Sequence, residues 1–550
     1  MPGACINDLP AEVLVRIFDD PEVASSLLLS VASTSRRLHY TCIPLYLARF
    51  GIQDPLESCE IVLRSSADDK NPEDALSGLR IALFVKSIKS LVCRFDDDLQ
   101  DYHLVIRNLD RLHDFLSHLM SVHQVTLDFG ISKRCGCCSE SDLGEVIDDG
   151  LQVWSQAMGR VLNLILAKSC TSLSVAGGRY MGHSYSFKSG SKTLESADKG
   201  QGTLSTLKTF FGKGTSSRTR LQDDKGSYSV LRGNNWQFNR TPRTGKAIVL
   251  TPLSLPDAPL LYSLDIQSMM FTVPPLLHWF IGVLQLETVQ TLSLRNLSVH
   301  RKCWPAILSL IATSAPHLQD IHFSSLRQID PIDLLEFVSA FPSLCSLHIA
   351  HDVDSFDSFD LPPFPDFPCL VSLHAPAAWV FRLLSSQKKG LAHLESLYIS
   401  YNIKNDGLSH WIERPSVPSI PILLKDQQRP LTISLTIHLG STPGWTMLEH
   451  IKKQDVVKKS EADAIGSLTL ILDQQVKRSD MPLAQVLVKW TALFHYVHHI
   501  SLEVRSKAQG SVDPDSLAKQ ILREARLPLL SSLEVNGTEW YGTLESEGES

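Results

Sequence analysis

One pattern limits what this chain can fold into. An apolar residue, two variable residues, a second apolar residue, one variable residue and a third apolar residue recur down the sequence. The clearest copies are Leu261-Leu264-Ile266, Val289-Leu292-Leu294, Leu318-Ile321-Phe323, Leu344-Leu347-Ile349, Leu370-Leu373-Ala375 and Leu394-Leu397-Ile399. Their central positions repeat at about 24 to 29 residues, a period of strand-and-helix repeats. Weaker copies centre on Leu91, Val125 and Leu173, and later ones on Ile433, Leu468, Ile500 and Leu533, about 32 to 36 residues apart. A single copy cannot bury its own apolar face, so copies must stack.

Helical stretches separate the copies: Pro275 to Leu286, Pro305 to Ala315, Pro331 to Phe341, Pro482 to His498 and Asp513 to Arg526. Proline opens several, as the first helical turn allows. Leu76 to Ser90 reads as a further helix. Short strands alternating with helices predict an α/β solenoid, a curved parallel sheet with outer helices, over 88–543. The alternative is an ordinary α/β fold, but a doubly wound sheet has no reason to keep one motif through so many copies. The repeats resemble the irregular leucine-rich repeats. Residues 177–246 break the array, being rich in Gly, Ser, Lys and Arg and poor in aliphatics, and are expected to form a flexible insertion. Residues 544–550 form an acidic tail.

The first 50 residues have a different design. Pro10 suits a helix start and Glu12 its first turn. Val13, Leu14, Ile17 and Phe18 share a helical face, and Asp19-Asp20-Pro21 ends it. A second apolar run holds Leu27, Leu28, Leu29 and Val31. Ser33-Thr34-Ser35 then precede a third, with Leu38, Leu45 and Tyr46. Three short helices with apolar residues to spare need something to cover them.

This segment resembles an F-box. Leu9-Pro10, Glu12-Val13-Leu14 and Ile17-Phe18 are similar to that family's opening helix. Ser35-Arg36-Arg37-Leu38-His39 and Pro44-Leu45-Tyr46 are similar to its closing segment, as written in fungal members. Pro21 stands where the family usually has leucine, and Leu38 near a common tryptophan. The resemblance covers the first tenth of the chain. It implies docking on a Skp-type adaptor and, through it, a cullin. Leu9, Pro10, Val13, Leu14, Ile17, Phe18, Leu28, Val31 and Leu38 would form the docking surface, with 51–87 a linker and helix before the repeats. The repeats would then hold a protein substrate, making the chain the substrate receptor of an SCF-type ubiquitin ligase. An adaptor-binding scaffold that delivers nothing is the alternative.

Composition is ordinary for a globular protein: 550 residues, 43% hydrophobic, 20% charged. A net charge of −7 gives no reason to expect a nucleic-acid partner. No apolar run reaches the roughly 18 residues of a membrane span, and no secretory leader opens the chain. Eleven cysteines without framework spacing predict reduced thiols in a cytoplasmic or nuclear protein.

Catalytic and cofactor patterns fail on inspection. Gly190-Ser191-Lys192-Thr193 lacks the upstream glycine of a phosphate cradle. Gly182-His183-Ser184-Tyr185-Ser186 lacks the closing glycine of a nucleophile elbow. Cys135, Cys137 and Cys138 offer soft ligands but no second pair for zinc. His495, His498 and His499 have helical spacing and no acidic partner. The chain is therefore expected to need no metal or cofactor and to act as a binding protein rather than an enzyme.

The repeat supplies the substrate-site expectation. The variable residue between the second and third apolar positions reads Asp265, Ser293, His322, His348, His374 and Tyr398. On stacked strands about 4.8 Å apart these form a column. Arg295, His322, His348, His374 and Tyr398 are the expected substrate contacts, with binding expected to weaken or change partner as the histidines charge near pH 6.5.

Overall fold

The computed structural model describes residues 6, 9–63, 73–95, 102–130, 148–178, 259–272, 276–299, 301–350, 367–386, 393–402, 432–438, 465–473, 497–505, 513–524, 527 and 529–541, with short strand pieces between 185 and 240. The chain divides into two units, Met1–His317 and Leu318–Ser550.

The first unit opens with three helices, α1 (Ala11–Phe18), α2 (Ser25–Ala32) and α3 (Arg36–Arg49). Pro10 stands at the N-cap, one position ahead of the expected first turn, and Asp19 closes α1. Ser35 caps α3 by accepting the Leu38 N–H. Arg49, in the last turn of α3, ties the helices together. It donates to the carbonyls of Phe18, Asp20 and Val23, and Arg37 donates to the carbonyl of Leu9. One guanidinium thereby satisfies carbonyls at the end of α1 and in the following loop.

Six parallel strands follow in this unit: β1 (Ser58–Leu63), β2 (Ser87–Phe95), β3 (Ser121–Phe129), β4 (Ser172–Gly177), β5 (Ser263–Gln267) and β6 (Thr291–Arg295). Each pairs with the next. The register aligns the motif centres across strands: Leu91 with Val125, Val125 with Leu173, Leu173 with Leu264, Leu264 with Leu292. The intervening helices are α4 (Ala75–Ile81), α5 (Tyr102–His118), α6 (Asp148–Ala167), α7 (Leu276–Leu284) and α8 (Trp304–Ser314). Trp154, Trp279 and Trp304 are fully buried, and Trp279 Nε1 donates to Asn163 Oδ1 at 2.9 Å.

Two boundaries differ from the sequence expectation. The helix expected from Leu76 to Ser90 ends at Ile81, and Ser87 begins a strand. Ile88, Leu91 and Cys93 already carry the motif, all with no exposure, and this strand pattern overrides helical continuity. The sheet also begins inside the expected linker, because Ser58–Leu63 alternates exposed and buried and pairs with β2. Within 177–246, expected to be a flexible loop, the described pieces pair as short antiparallel strands. Tyr185–Ser186 and Ser227–Ser229 both pair with Gln237–Arg240, and Ser189–Gly190 pairs with Arg220–Leu221.

The second unit holds β7 (Asp320–Ser324), β8 (Ser346–Ile349), β9 (Ser372–Pro376), β10 (Ser396–Asn402), β11 (Thr432–His438), β12 (Ile465–Asp473), β13 (His499–Arg505), β14 (Ser532–Val535) and β15 (Thr538–Tyr541). The first eight run parallel, in chain order. β15 turns back antiparallel on β14 through Asn536-Gly537, whose φ values of 51° and 84° suit a two-residue hairpin turn. Three helices are described, α9 (Pro331–Val338), α10 (Ala377–Ser386) and α11 (Pro514–Glu524); Asp330 caps α9 by accepting the Ile332 N–H. Every motif residue from Leu318 to Ile399 is at most 3% exposed. At about 1.5–3 kcal/mol for each fully buried large aliphatic, this repeated burial dominates the stabilisation. One irregularity interrupts it. The β11–β12 register shifts at Ile433/Ser434, so Leu468 sits opposite Leu435 rather than Ile433.

The helical segment is bonded to the first repeat. Tyr46 donates its hydroxyl to the Asp74 carbonyl at 2.7 Å. His39 accepts the Leu83 N–H at Nε2, and its Nδ1 faces the Ala32 carbonyl, a pairing that assigns the Nδ1–H tautomer. The Asp74 carboxylate caps α4 and binds Arg111 at 2.7 Å, with exposures of 2% and 11%. A Cβ on Gly78 would lie 2.5 Å from the Tyr46 ring, so glycine is required for this approach. Asp74→Ala removes both the cap and the buried ion pair and strands Arg111. It is expected to cost about 3 kcal/mol or more, read as a lowered midpoint of the first unfolding transition in urea.

Candidate functional site

Two surfaces remain to be placed, the helical segment and the strand face. In α1 the expected apolar stripe is split. Leu14 and Phe18 point inward, 0% and 4% exposed, while Val13 and Ile17 stay open at 39% and 42%. A stripe of neighbours and next-turn residues is wider than one neighbouring helix can cover. In α2, Leu28 is fully buried while Leu27 is 49% exposed. Leu38 of α3 is 2% exposed. Leu14, Phe18, Leu28 and Leu38 therefore hold the three helices together and are not part of an exposed docking surface, correcting the expectation that grouped them with it. Pro10 is exposed, and Leu9 and Val31 are half-buried. Val15, at 40%, and Leu27 belong to the exposed apolar set and were missed. Helical spacing alone does not say which half of a wide stripe the third helix covers.

In the first unit the strand column runs Ser174, Asp265, Ser293, paired in register. Arg295 does not extend as a free cation. Its Nε donates to Asp265 Oδ1 at 2.9 Å, and its Nη2 also binds that carboxylate. Ser174 Oγ and Gln267 Nε2 complete the shell around Asp265 Oδ2. Donating to the Asp265 carboxylate holds the Arg295 guanidinium's pKa above its ordinary value. Arg295 is thus engaged within its own sheet.

In the second unit the column is present as expected. His322 pairs in register with His348, His348 with His374, and His374 with Tyr398. The ring centroids are 3.8, 3.9 and 5.6 Å apart along the series. The histidines are half-buried and Tyr398 is 41% exposed. The register carries the column further, to Ser434, Ser467, His499 and Ser532. Past the one-residue shift at Ile433/Ser434 the column residues Ser467, His499 and Ser532 precede the motif centres Leu468, Ile500 and Leu533 instead of following them, so counting did not reach them. His499, expected on a helix face, begins β13, and its Nδ1 lies 2.5 Å from Ser532 Oγ.

Among the described residues no three metal-ligating side chains converge. The described cysteines are free. Burial pushes the Cys42 thiol up to about 11 and those of Cys59, Cys170 and Cys303 up to about 12, which keeps them protonated and unreactive at neutral pH. Cys135, Cys137, Cys138 and the acidic tail lie outside the described residues. No described helix is long and apolar enough to cross a membrane.

No protein-family model matches the chain, and no curated protein does. Among solved structures, the chain is similar to that of the leucine-rich repeat-containing protein LegL7 from Legionella pneumophila. Identity is 12%, coverage is 85% of this chain and 98% of that chain, and the TM-score is 0.30. The repeat architecture stands on the register of this chain's own strands. They define a mixed α/β protein of stacked parallel strands and helices.

The split stripe makes a measurable distinction. Leu14→Ala is expected to lower stability by about 2–5 kcal/mol, whereas Ile17→Ala, on the open half, stays within about 1 kcal/mol of the parent. Thermal unfolding of the two variants side by side reads the difference.

Proposed function

We propose that the chain is a substrate receptor of an SCF-type ubiquitin ligase. Its N-terminal helices dock on a Skp-type adaptor, and through it on a cullin, while the strand repeats hold a protein substrate. The observation that carries this reading is an apolar set left over after folding: Val13, Val15, Ile17 and Leu27, at 39, 40, 42 and 49% exposure. They sit on two short helices whose inward neighbours already complete the local core. Apolar side chains of this size, open on helices bonded to a repeat array, suit burial by a second polypeptide. The order of residues that resembles an F-box covers the same helices.

A receptor of this kind needs no catalytic group of its own. It acts by position, raising the effective concentration of a bound substrate near a separately held charged enzyme. The strand face suits the second half of that task. It presents an imidazole and hydroxyl column on strands whose other face is buried, so its side chains can vary without disturbing the core.

Val13→Asp and Ile17→Asp are each expected to weaken binding of a purified Skp-type adaptor about 30-fold, corresponding to about 2 kcal/mol for a central apolar anchor. Calorimetric titration with the full chain tests this, with thermal unfolding as the control for folding. Adaptor affinity unchanged in both variants removes the proposal.

A further inference from the structure

Strands β7 to β10 carry little charge. In the sequences Asp320–Ser324, Ser346–Ile349, Ser372–Pro376 and Ser396–Asn402, the only charged side chain besides the histidines is Asp320. Asp320 lies two residues before His322, on the same face. The position before each imidazole or phenol is otherwise a serine: Ser346, Ser372 and Ser396 align in register beside the column. The titratable groups on this face of the four strands are therefore His322, His348, His374, Tyr398 and Asp320. No lysine or arginine occurs on these strands, so any positive charge on them comes from the imidazoles.

Three imidazoles with centroids 3.8 and 3.9 Å apart repel one another when charged. A carboxylate placed against them offsets that repulsion and favours the imidazolium form. Binding an anion here must then take up protons. The spacing sets a ruler as well. The His322 and His374 rings lie at most about 7.7 Å apart, and two residues of extended peptide span about 6.8 Å and return a side chain to the same face.

We infer that the His322–His348–His374 column is a proton-gated docking strip for an acidic peptide segment, one with carboxylates at every second residue, crossing the strands in extended form. The flanking serine hydroxyls donate to the same carboxylates, and Tyr398 borders the strip. Binding strengthens as pH falls through the histidine range, the opposite sign from weakening on charging. The inference rests on the reading of the strand face as the protein-binding surface, and it names the chemistry of what binds there.

The test uses the full chain and a fluorescent peptide with Asp at every second position in a Gly/Ser background, with a Lys counterpart, followed by anisotropy at pH 7.5 and 5.5. The peptide's carboxylates stay ionised across that range. The Asp peptide should bind at least about tenfold tighter at pH 5.5, as uptake of roughly one proton across the histidine range gives. The triple variant His322→Gln/His348→Gln/His374→Gln should lose that gain while keeping adaptor affinity. Asp320→Asn, which removes the competing carboxylate, should bind the Asp peptide more tightly at both pH values. His348→Gln alone should reduce the pH dependence, and it serves if the triple variant does not fold. Equal pH dependence in the histidine variants, or equal tightening of the Lys peptide, overturns the gate and leaves the strand face as a docking surface. Absence of Asp-peptide binding at either pH overturns the gate and the surface together.

Discussion

The structure depends on one constraint: the apolar triplet of each repeat is buried only if the next repeat lies in register beside it. Leu347, Leu373 and Leu397 illustrate this, each paired with its neighbour and each at most 2% exposed. Because the side-chain period of a strand is two, a one-residue slip would turn every such leucine outward. The same register therefore fixes the other face. Whatever stands between the second and third apolar positions is brought to its counterpart on the next strand. The histidine column is thus a by-product of hydrophobic alignment, its members brought side by side by the ladder.

The helical segment depends on the ladder differently. Arg49 gathers the carbonyls of Phe18, Asp20 and Val23, while Tyr46 and His39 bond to residues around the first repeat. Buried polar groups demand partners, so these bonds restrict how α3 can sit on α4. The cost of misplacement is high because Asp74 serves three neighbours, capping α4, pairing with Arg111 and offering its carbonyl to Tyr46.

Much of the fold was legible because the motif is local. Leu264, Leu292, Ile321 and Leu347 could be aligned by counting, and the structure places each as the second residue of its strand with a buried side chain. The early copies at Leu91, Val125 and Leu173 were weaker in sequence yet fell into the same register. Legibility failed where a decision depends on a distant partner. Nothing near Ser87 in sequence announces that Leu91 will pair with Val125, so a helix was read through it. Nothing in α1 tells Leu14 from Val13 until α3 covers one of them. Arg295 reads as an exposed cation until Asp265, 30 residues earlier, reaches it across the sheet. The shift at Ile433/Ser434 was invisible because a residue count carries no record of a bulge.

The turn at Asn536-Gly537 has a consequence for how such an array can lengthen. From β7 to β14 each newcomer is laid down in the direction of its predecessor, so one more copy inserted among them finds matching donors and acceptors on both sides. Beyond the reversal the described backbone runs the other way, and an antiparallel pair spaces its hydrogen-bonding groups in a different rhythm. A duplicated motif appended there would meet a mismatched template. Growth by duplication is thereby steered to the parallel part of the series.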